Sequence, residues 1–163
     1  MIKTQMIKCF VTLFYSGLSP KASGTIGSIV SIPIALALLF FIPIETFWLL
    51  TALIFVMGVK LTDQYIAEVG RDDPKEVVID ELVGMWVALA LLPDFFSWYQ
   101  VLIAFIFFRL FDIAKPSLIG VIDRKMHNGL GVMLDDLLAG FIAAIAANLC
   151  IKIIDYIGAW LWN

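Results

Sequence analysis

The stretch that decides the fold is residues 77–92, VVIDELVGMWVALALL, an apolar run with Asp80 and Glu81 near its start. Its length is close to the roughly 20 residues that cross a bilayer as a helix. Carboxylates beside hydrocarbon are costly and are usually kept for function, although acids near a helix N-terminus are also favoured by the helix dipole. The stretch therefore predicts a membrane helix whose acidic end is either a cap or part of a functional site.

The whole chain shares this apolar character. Of its 163 residues, 62% are hydrophobic and 15% are charged, and the mean hydropathy is +0.99. A soluble domain usually has about 45–50% apolar and about 25% charged residues. The excess predicts an integral membrane protein with a single domain, residues 1–163, and no nucleic-acid partner. Cys9 and Cys150 form no CxxC pattern, so we expect apolar packing thiols rather than a zinc or redox site.

The predicted fold class is all-α, a polytopic membrane bundle of about five transmembrane helices. The predicted spans are residues 26–42, 47–61, 77–92, 98–111 and 132–154, with residues 62–76 as a polar connection. The first 20 residues carry Lys3 and Lys8 before a short apolar run but no convincing signal-peptide cleavage site. They therefore predict a retained N-terminal interfacial or re-entrant helix.

Basic residues fall almost entirely on one side of these spans. The loop around Glu45 and the loop at residues 93–97 contain no Lys or Arg, and only Lys152 lies near that face. The positive-inside rule then assigns the N-terminus and the two long loops to the cytoplasm. The acidic clusters fall on the same side, although sidedness was assigned from basic residues alone.

A second acidic pair, Asp135 and Asp136, opens the last apolar run in the same way as the first pair. Neighbouring residues on a helix are about 100° apart around its axis, so one acid of each pair can face inward. Gly84 and Gly140 follow Asp80 and Asp136 at i+4, where small residues let another helix approach closely. Two pairs at one depth favour a functional site over simple capping.

Six carboxylates lie near the ends of predicted spans or in the short loop between two of them. They are Asp80, Glu81, Asp112, Asp123, Asp135 and Asp136. Hard oxygen ligands without His or Cys partners favour Mg²⁺ over zinc. Asp112 lies at the C-terminal end of a span, where the helix dipole disfavours an anion. Arg109 and Lys115, at i−3 and i+3, either pair with it or bind a phosphate.

Glycine-containing turns precede two of the predicted helices, at residues 24–28 (GTIGS) and 128–131 (NGLG). Such turns can present backbone N–H groups to an anion, although Thr25 or Ser28 could simply cap the first span. Together with the acids and cations they suit phosphoryl chemistry on a lipid headgroup. In that chemistry a metal polarises the phosphoryl oxygens and generates hydroxide from bound water.

Other phosphatase chemistries fit the chain less well. It has no Cys-x₅-Arg loop for a cysteinyl phosphate, and its single histidine, His127, leaves no histidine pair. An aspartyl phosphate intermediate stays open beside the metal-activated water.

Four segments resemble motifs of the phosphatidylglycerophosphatase A family. DPKEVVIDELVG (73–84) resembles DPxxxVxDExxG, FRLFDIAKP (108–116) is similar to FRxFDxxKP, GLGVMLDDLLAG (129–140) resembles GxGVMxDDxxAG, and GTIGS (24–28) fits GTxGS. Asp123 falls where the family has an aspartate before the glycine loop. The resemblance covers about residues 15–145, and the departures at Ser23, Leu118 and Asn128 concern loop shape rather than charge.

The resemblance implies Mg²⁺-dependent hydrolysis of phosphatidylglycerophosphate to phosphatidylglycerol and phosphate, at the cytoplasmic face of a bacterial inner membrane. By position, the candidate catalytic residues are Asp80, Glu81 and Asp136. The candidate metal ligands are Asp80, Glu81, Asp112, Asp123, Asp135 and Asp136. The candidate substrate-binding residues are Thr25, Ser28, Arg109, Lys115 and Arg124. Metal count and oligomeric state stay undefined by the sequence.

Two other function classes use acids in membranes. A CDP-alcohol phosphotransferase would need a DGxxAR segment, which residues 112–115 do not supply. An ion- or proton-coupled transporter would use the carboxylates as a relay. Transport sites tend to lie near the midplane between repeats, whereas these acids cluster at one face and no repeat is visible.

Overall fold

The computed structural model describes residues 2–71, 74–116, 119–121, 126 and 128–161, and within them every regular element is a helix. The helices are α1 (Ile2–Val11), α2 (Ser23–Phe41), α3 (Ile44–Val69), α4 (Ile79–Ala90), α5 (Trp98–Ala114) and α6 (Gly129–Leu161), with a 3₁₀ turn at Ser16–Leu18. The predicted all-α fold class is therefore confirmed for the described part of the chain.

In the described part of the chain, three helices are long and apolar enough to cross a membrane: α2, α3 and α6, with 19, 26 and 33 residues. At about 1.5 Å per residue, even α2 reaches about 29 Å, close to the thickness of a hydrocarbon core. The other two, α4 and α5, have 12 and 17 residues and fall below that length. The prediction of five spans is confirmed for three helices and not for the remaining two.

The reason is clearest for α4, which lies inside the bundle with α2, α3, α5 and α6 packed around it. Ten of its 12 residues are buried. Trp86 of α4 lies against Phe47 of α3, with ring centroids 4.9 Å apart, and its Nε1 donates to the backbone oxygen of Ser31 in α2 at 3.1 Å. A helix that is apolar on all sides is buried either in lipid or in protein, and here protein surrounds it.

Two predicted connections are helical instead. The segment from residue 62 continues α3 as far as Val69, where Gly70 ends the helix in a left-handed conformation at φ 68°. Glycine adopts that conformation without the strain a side chain would add. The predicted turn at residues 128–131 is the first turn of α6, because the Asn128 Oδ1 accepts the N–H of Gly131 at 2.9 Å and caps the helix.

Helices α4 and α6 cross at two glycines. A Cβ atom on Gly140 would lie 2.2 Å from the backbone oxygen of Gly84, and one on Gly84 would lie 2.5 Å from the backbone oxygen of Asp136. This confirms the predicted close approach. Because each glycine follows an acidic pair by one turn, the crossing brings the two pairs to the same level of the bundle.

The polar ends of the helices gather at one end of the bundle. The start of α2 meets the start of α4 at Gly24 and Glu81, and the end of α5 meets the first part of α6 through Lys115 and Asp135. At the opposite end, the Asn148 Nδ2 of α6 donates to the backbone oxygen that follows α4, at 3.0 Å. The N-terminal helix α1 packs on α3, and its interfacial position stays a prediction.

Candidate active site

Three carboxylates form a compact acidic cluster. Asp80 and Glu81 come from the first turn of α4 and Asp136 from α6, and one ligand oxygen from each lies within 4.8 Å of the others. Glu81 is 9% exposed and Asp136 is 3% exposed. Buried anions at this separation repel one another unless a proton or a cation neutralises them. A hard divalent cation that prefers oxygen ligands satisfies this arrangement.

Two oxygen atoms of the cluster have free lone pairs. Glu81 Oε2 and Asp136 Oδ2 are buried and have no hydrogen-bond partner in the described part of the chain. Buried polar atoms nearly always have a hydrogen-bond partner in folded proteins, so a buried oxygen without one indicates a specific role. A metal ion between these carboxylates would engage both atoms, and the donor set fits Mg²⁺.

Asp135, the neighbour of Asp136, is engaged differently. Its Oδ2 lies 2.8 Å from the Nζ of Lys115, and its Oδ1 accepts the backbone N–H of Asp136 at 2.9 Å. Both oxygens therefore already have partners, and the three-residue cluster does not include Asp135. Its side chain holds Lys115 beside the acids.

Lys115 adopts an unusual backbone conformation for a lysine. It ends α5 with φ 42°, in the left-handed region, which costs a non-glycine residue roughly 1–2 kcal/mol. Residues held in such conformations concentrate at functional sites, where surrounding contacts fix them. The ion pair with Asp135 is one such contact, so this turn places the Lys115 ammonium at the residue next to Asp136.

Arg109 supplies the second cation. Its Nη1 lies 2.7 Å from Asp112 Oδ2, which confirms the predicted pairing within α5, and it also donates to Ser28 Oγ at 3.2 Å. Ser28 is buried and donates in turn to the backbone oxygen of Gly24 at 2.8 Å. The Arg109 Nε is buried without a partner among the described residues, so the guanidinium keeps a free donor.

The start of α2 meets both the carboxylates and the guanidinium. A Cβ atom on Gly24 would lie 2.1 Å from Glu81 Oε1 and 3.3 Å from each terminal nitrogen of Arg109. The N-cap is Ala22, which gives no side-chain hydrogen bond, so the alternative that Thr25 or Ser28 caps this helix is wrong. The first N–H groups of a helix lack intrahelical partners, and such N–H groups are a general means of binding anions.

The remaining predicted site residues divide into two groups. Thr25 is half-buried in the first turn of α2, next to Gly24. Asp123 and Arg124 lie outside the described residues, as does His127.

Sequence reasoning missed Asp63, on α3. Its Oδ1 accepts the backbone N–H of Gly129 at 2.6 Å and fixes the start of α6, the helix that carries Asp136. A usable signal was present, because apolar residues continue the helical period through this segment. They are Leu61, Tyr65, Ile66 and Val69.

Comparison with known proteins places the chain in a known family. The family model of phosphatidylglycerophosphatase A matches residues 9–151. Two relatives named phosphatidylglycerophosphatase A come from Haemophilus influenzae, with 41% identity over 81% of this chain and 80% of the relative, and from Escherichia coli K12, with 40% identity over 80% and 75%. A third, from Bacteroides thetaiotaomicron and named "Putative phosphatidylinositol-3-phosphatase", has 42% identity over 79% and 83%.

No solved structure matches the chain. The family match covers most of the sequence and includes the three residues of the acidic cluster. The protein is a phosphatase, and the chain belongs to the phosphatidylglycerophosphatase A family.

Proposed function

We propose that the protein removes the terminal phosphate of phosphatidylglycerophosphate, giving phosphatidylglycerol and inorganic phosphate, in a Mg²⁺-dependent reaction at the cytoplasmic face of a bacterial inner membrane. Family membership and the names of two relatives support the substrate. The observation that carries the chemistry is the cluster of Asp80, Glu81 and Asp136, with two buried oxygens that lack partners.

The three clustered carboxylates would hold the Mg²⁺ ion. When bound, the ion would polarise the phosphoryl oxygens and make a water molecule more acidic. Of the other candidate ligands, Asp112 and Asp135 are ion-paired with Arg109 and Lys115, so the geometry favours them as residues that position these cations. Asp123 stays a candidate ligand.

The phosphate would lie between the start of α2 and the acidic cluster. Arg109 and the free N–H groups of the first turn of α2 bind its anionic oxygens there. The Thr25 hydroxyl is one residue away and can donate a further hydrogen bond. Arg124 stays a candidate for the same role.

Proton transfer is assigned to the acids. A carboxylate of the cluster accepts the proton of the water that attacks phosphorus, and this proton passes to the glycerol oxygen as its bond to phosphorus breaks. Lys115 neutralises charge that develops on the phosphoryl group. Preorganised groups in a site with little water are effective here because they need no rearrangement during the reaction.

For the membrane arrangement, we propose that residues 1–163 form one domain in which α2 to α6 cross the bilayer five times. The helices alternate in direction, since α4 starts at the acidic end and finishes near Asn148 at the other. At about 18 Å, α4 is short for a span, but protein surrounds it, so its ends need not reach the lipid headgroups. The basic residues support the cytoplasmic position of the acidic end.

The transporter alternative gains no support. The described acids of the cluster gather at one end of the bundle, whereas transport sites usually lie near the midplane between repeats. The comparisons name phosphatases.

The test is phosphate release by the purified protein in detergent micelles from three lipids with matched acyl chains. The lipids are phosphatidylglycerophosphate, phosphatidylinositol-3-phosphate and phosphatidic acid. We expect the highest kcat/KM for phosphatidylglycerophosphate, loss of activity in chelator, and recovery on adding Mg²⁺. Preference for the inositol lipid would make the substrate proposal wrong. Undiminished hydrolysis in chelator would make the proposed dependence on Mg²⁺ wrong.

Asp136→Asn supplies the inactive control for this assay. The change keeps the size of the side chain but removes one charge from the cluster, so we expect kcat to fall by at least about 100-fold. Asp155→Asn makes the same change at the exposed far end of α6 and should leave kcat unchanged. Both variants should stay monodisperse in detergent, as judged by size-exclusion chromatography.

A further inference from the structure

A cavity of about 430 Å³ lies next to the acidic cluster and takes no part in the chemistry proposed above. Residues 17–20, Ala22 and Ser23 form one side of it, and Lys75 and Glu76 form the other. The Ser23 Oγ donates to the backbone oxygen of Lys75 at 2.7 Å and ties the two sides together. The cavity is therefore built from the segment that leads into α2 and the segment before α4, which this hydrogen bond joins.

The cavity adjoins the phosphate site through consecutive residues of α2. Ser23 lines the cavity, and the next residue, Gly24, lies against Glu81 and Arg109. Neighbouring Cα atoms are about 3.8 Å apart. A ligand whose terminal phosphate lies at Gly24 would thus reach the cavity within the length of a small headgroup.

The charges of the lining suit an anion. Lys75 is exposed and forms no ion pair with another residue of the described part of the chain. The charge of Glu76 is offset by Arg71, since Glu76 Oε1 pairs with the Arg71 guanidinium and also accepts from the hydroxyl of Tyr65 at 3.1 Å. The charge of the lining that is not offset by an ion pair is therefore the positive charge of Lys75.

We infer that this cavity receives the glycerol and the phosphodiester of the lipid headgroup, with the ammonium of Lys75 paired to the phosphodiester anion. The inference rests on the proposed function. In phosphatidylglycerophosphate six covalent bonds separate the two phosphorus atoms. Six bonds also separate two Cα atoms that are two residues apart, and an extended chain spans about 7 Å over that length. The two phosphates therefore lie about 7 Å apart when the headgroup is extended. That length joins a phosphate at Gly24 to an anion in the neighbouring cavity.

The consequence is a specificity-determining role for Lys75. Binding energy from a part of the substrate that does not react changes KM when it acts equally on the ground state and the transition state. Phosphatidic acid has a terminal phosphate but no phosphodiester, so it gains nothing from Lys75. Phosphatidylglycerol, the product, has the phosphodiester and the glycerol but no terminal phosphate, so its binding reports on the cavity alone.

The experiment compares Lys75→Gln, Lys75→Arg and Lys60→Gln with the unmodified protein in mixed micelles containing Mg²⁺. For Lys75→Gln we expect KM for phosphatidylglycerophosphate and the inhibition constant of phosphatidylglycerol to rise about fivefold, as for one exposed ion pair of about 1 kcal/mol. The kcat value and the inhibition constant of inorganic phosphate should not change. Lys75→Arg keeps the charge and should restore both affected constants.

Lys60→Gln removes one exposed cation from α3 and is the matched control. If it raises KM as much as Lys75→Gln, general attraction of anionic lipid explains the effect and the inference is overturned. A fall in kcat without a rise in KM, or unchanged constants, would overturn it too and leave the proposed function intact. If the unmodified protein does not hydrolyse phosphatidylglycerophosphate, both proposals fail.

Discussion

At the scale of single residues, Gly24 is the point where a helix start, a carboxylate and a guanidinium converge. Gly24→Ala would put a Cβ atom 2.1 Å from Glu81 Oε1. That oxygen is the end of a flexible side chain, so we expect the carboxylate to move out of the cluster at little cost in stability. The predicted result is a fall in kcat/KM of at least about tenfold, because catalytic groups tolerate little displacement.

The measurement for Gly24→Ala is phosphate release together with the thermal unfolding midpoint in detergent. Gly158→Ala is the matched control, because a Cβ atom on Gly158 meets nothing within 4 Å and alanine favours a helix by up to about 1 kcal/mol. A Gly24→Ala enzyme with normal turnover would mean that Glu81 does not need its present position.

The sequence predicted the acids of the cluster because paired carboxylates inside apolar runs are recognisable without a structure. It did not predict all the contacts of the two nearby cations, Arg109 and Lys115. Arg109 was expected near Asp112, and it is, but its contact with Ser28 joins residues 81 positions apart. The pairing of Lys115 with Asp135 depends on a left-handed turn that nothing in the local sequence requires.

At the scale of helices, the crossing of α4 and α6 sets the geometry of the cluster. Gly140→Ala would put a Cβ atom 2.2 Å from the backbone oxygen of Gly84. Backbone cannot move aside as a side chain can, so the helices must separate, which costs about 1–3 kcal/mol. We expect a lower unfolding midpoint and also a lower kcat, since Asp136 moves away from Asp80 and Glu81.

This outcome differs from that of Gly24→Ala, in which only activity should fall. Scanning calorimetry or tryptophan fluorescence in detergent separates the two cases, with Gly158→Ala again as the control. An unchanged midpoint for Gly140→Ala would indicate that the two helices have room to separate freely at the crossing.

Hydropathy predicted where most helices lie but not what surrounds them. The apolar run of α4 matches a membrane span in composition, yet the structure encloses it in protein. Hydropathy measures the preference for leaving water, and lipid and protein interior satisfy that preference equally. In α3 the opposite error arose, because polar residues beyond Leu61 suggested a loop where one apolar face continues the helix to Val69.

At the scale of the whole molecule, the three long helices are compatible with either three or five membrane crossings. If only α2, α3 and α6 cross, the N-terminus and the C-terminus still lie on opposite sides, as they do with five crossings. The asymmetry of basic residues gives the same orientation in both cases. The two arrangements differ only in the position of the loop between α4 and α5.

That loop therefore decides between three and five crossings, and a cysteine in it can report its position. In a background with Cys9→Ser and Cys150→Ser, we would introduce Lys21→Cys, Glu45→Cys or Asp94→Cys, each at an exposed position. With five crossings, a membrane-impermeant maleimide labels the variants at 45 and 94 in intact cells and the variant at 21 only after permeabilisation. Labelling at 45 alone would mean that α4 and α5 enter the membrane without crossing it, and the opposite pattern at 21 and 45 would place the acidic cluster outside the cytoplasm.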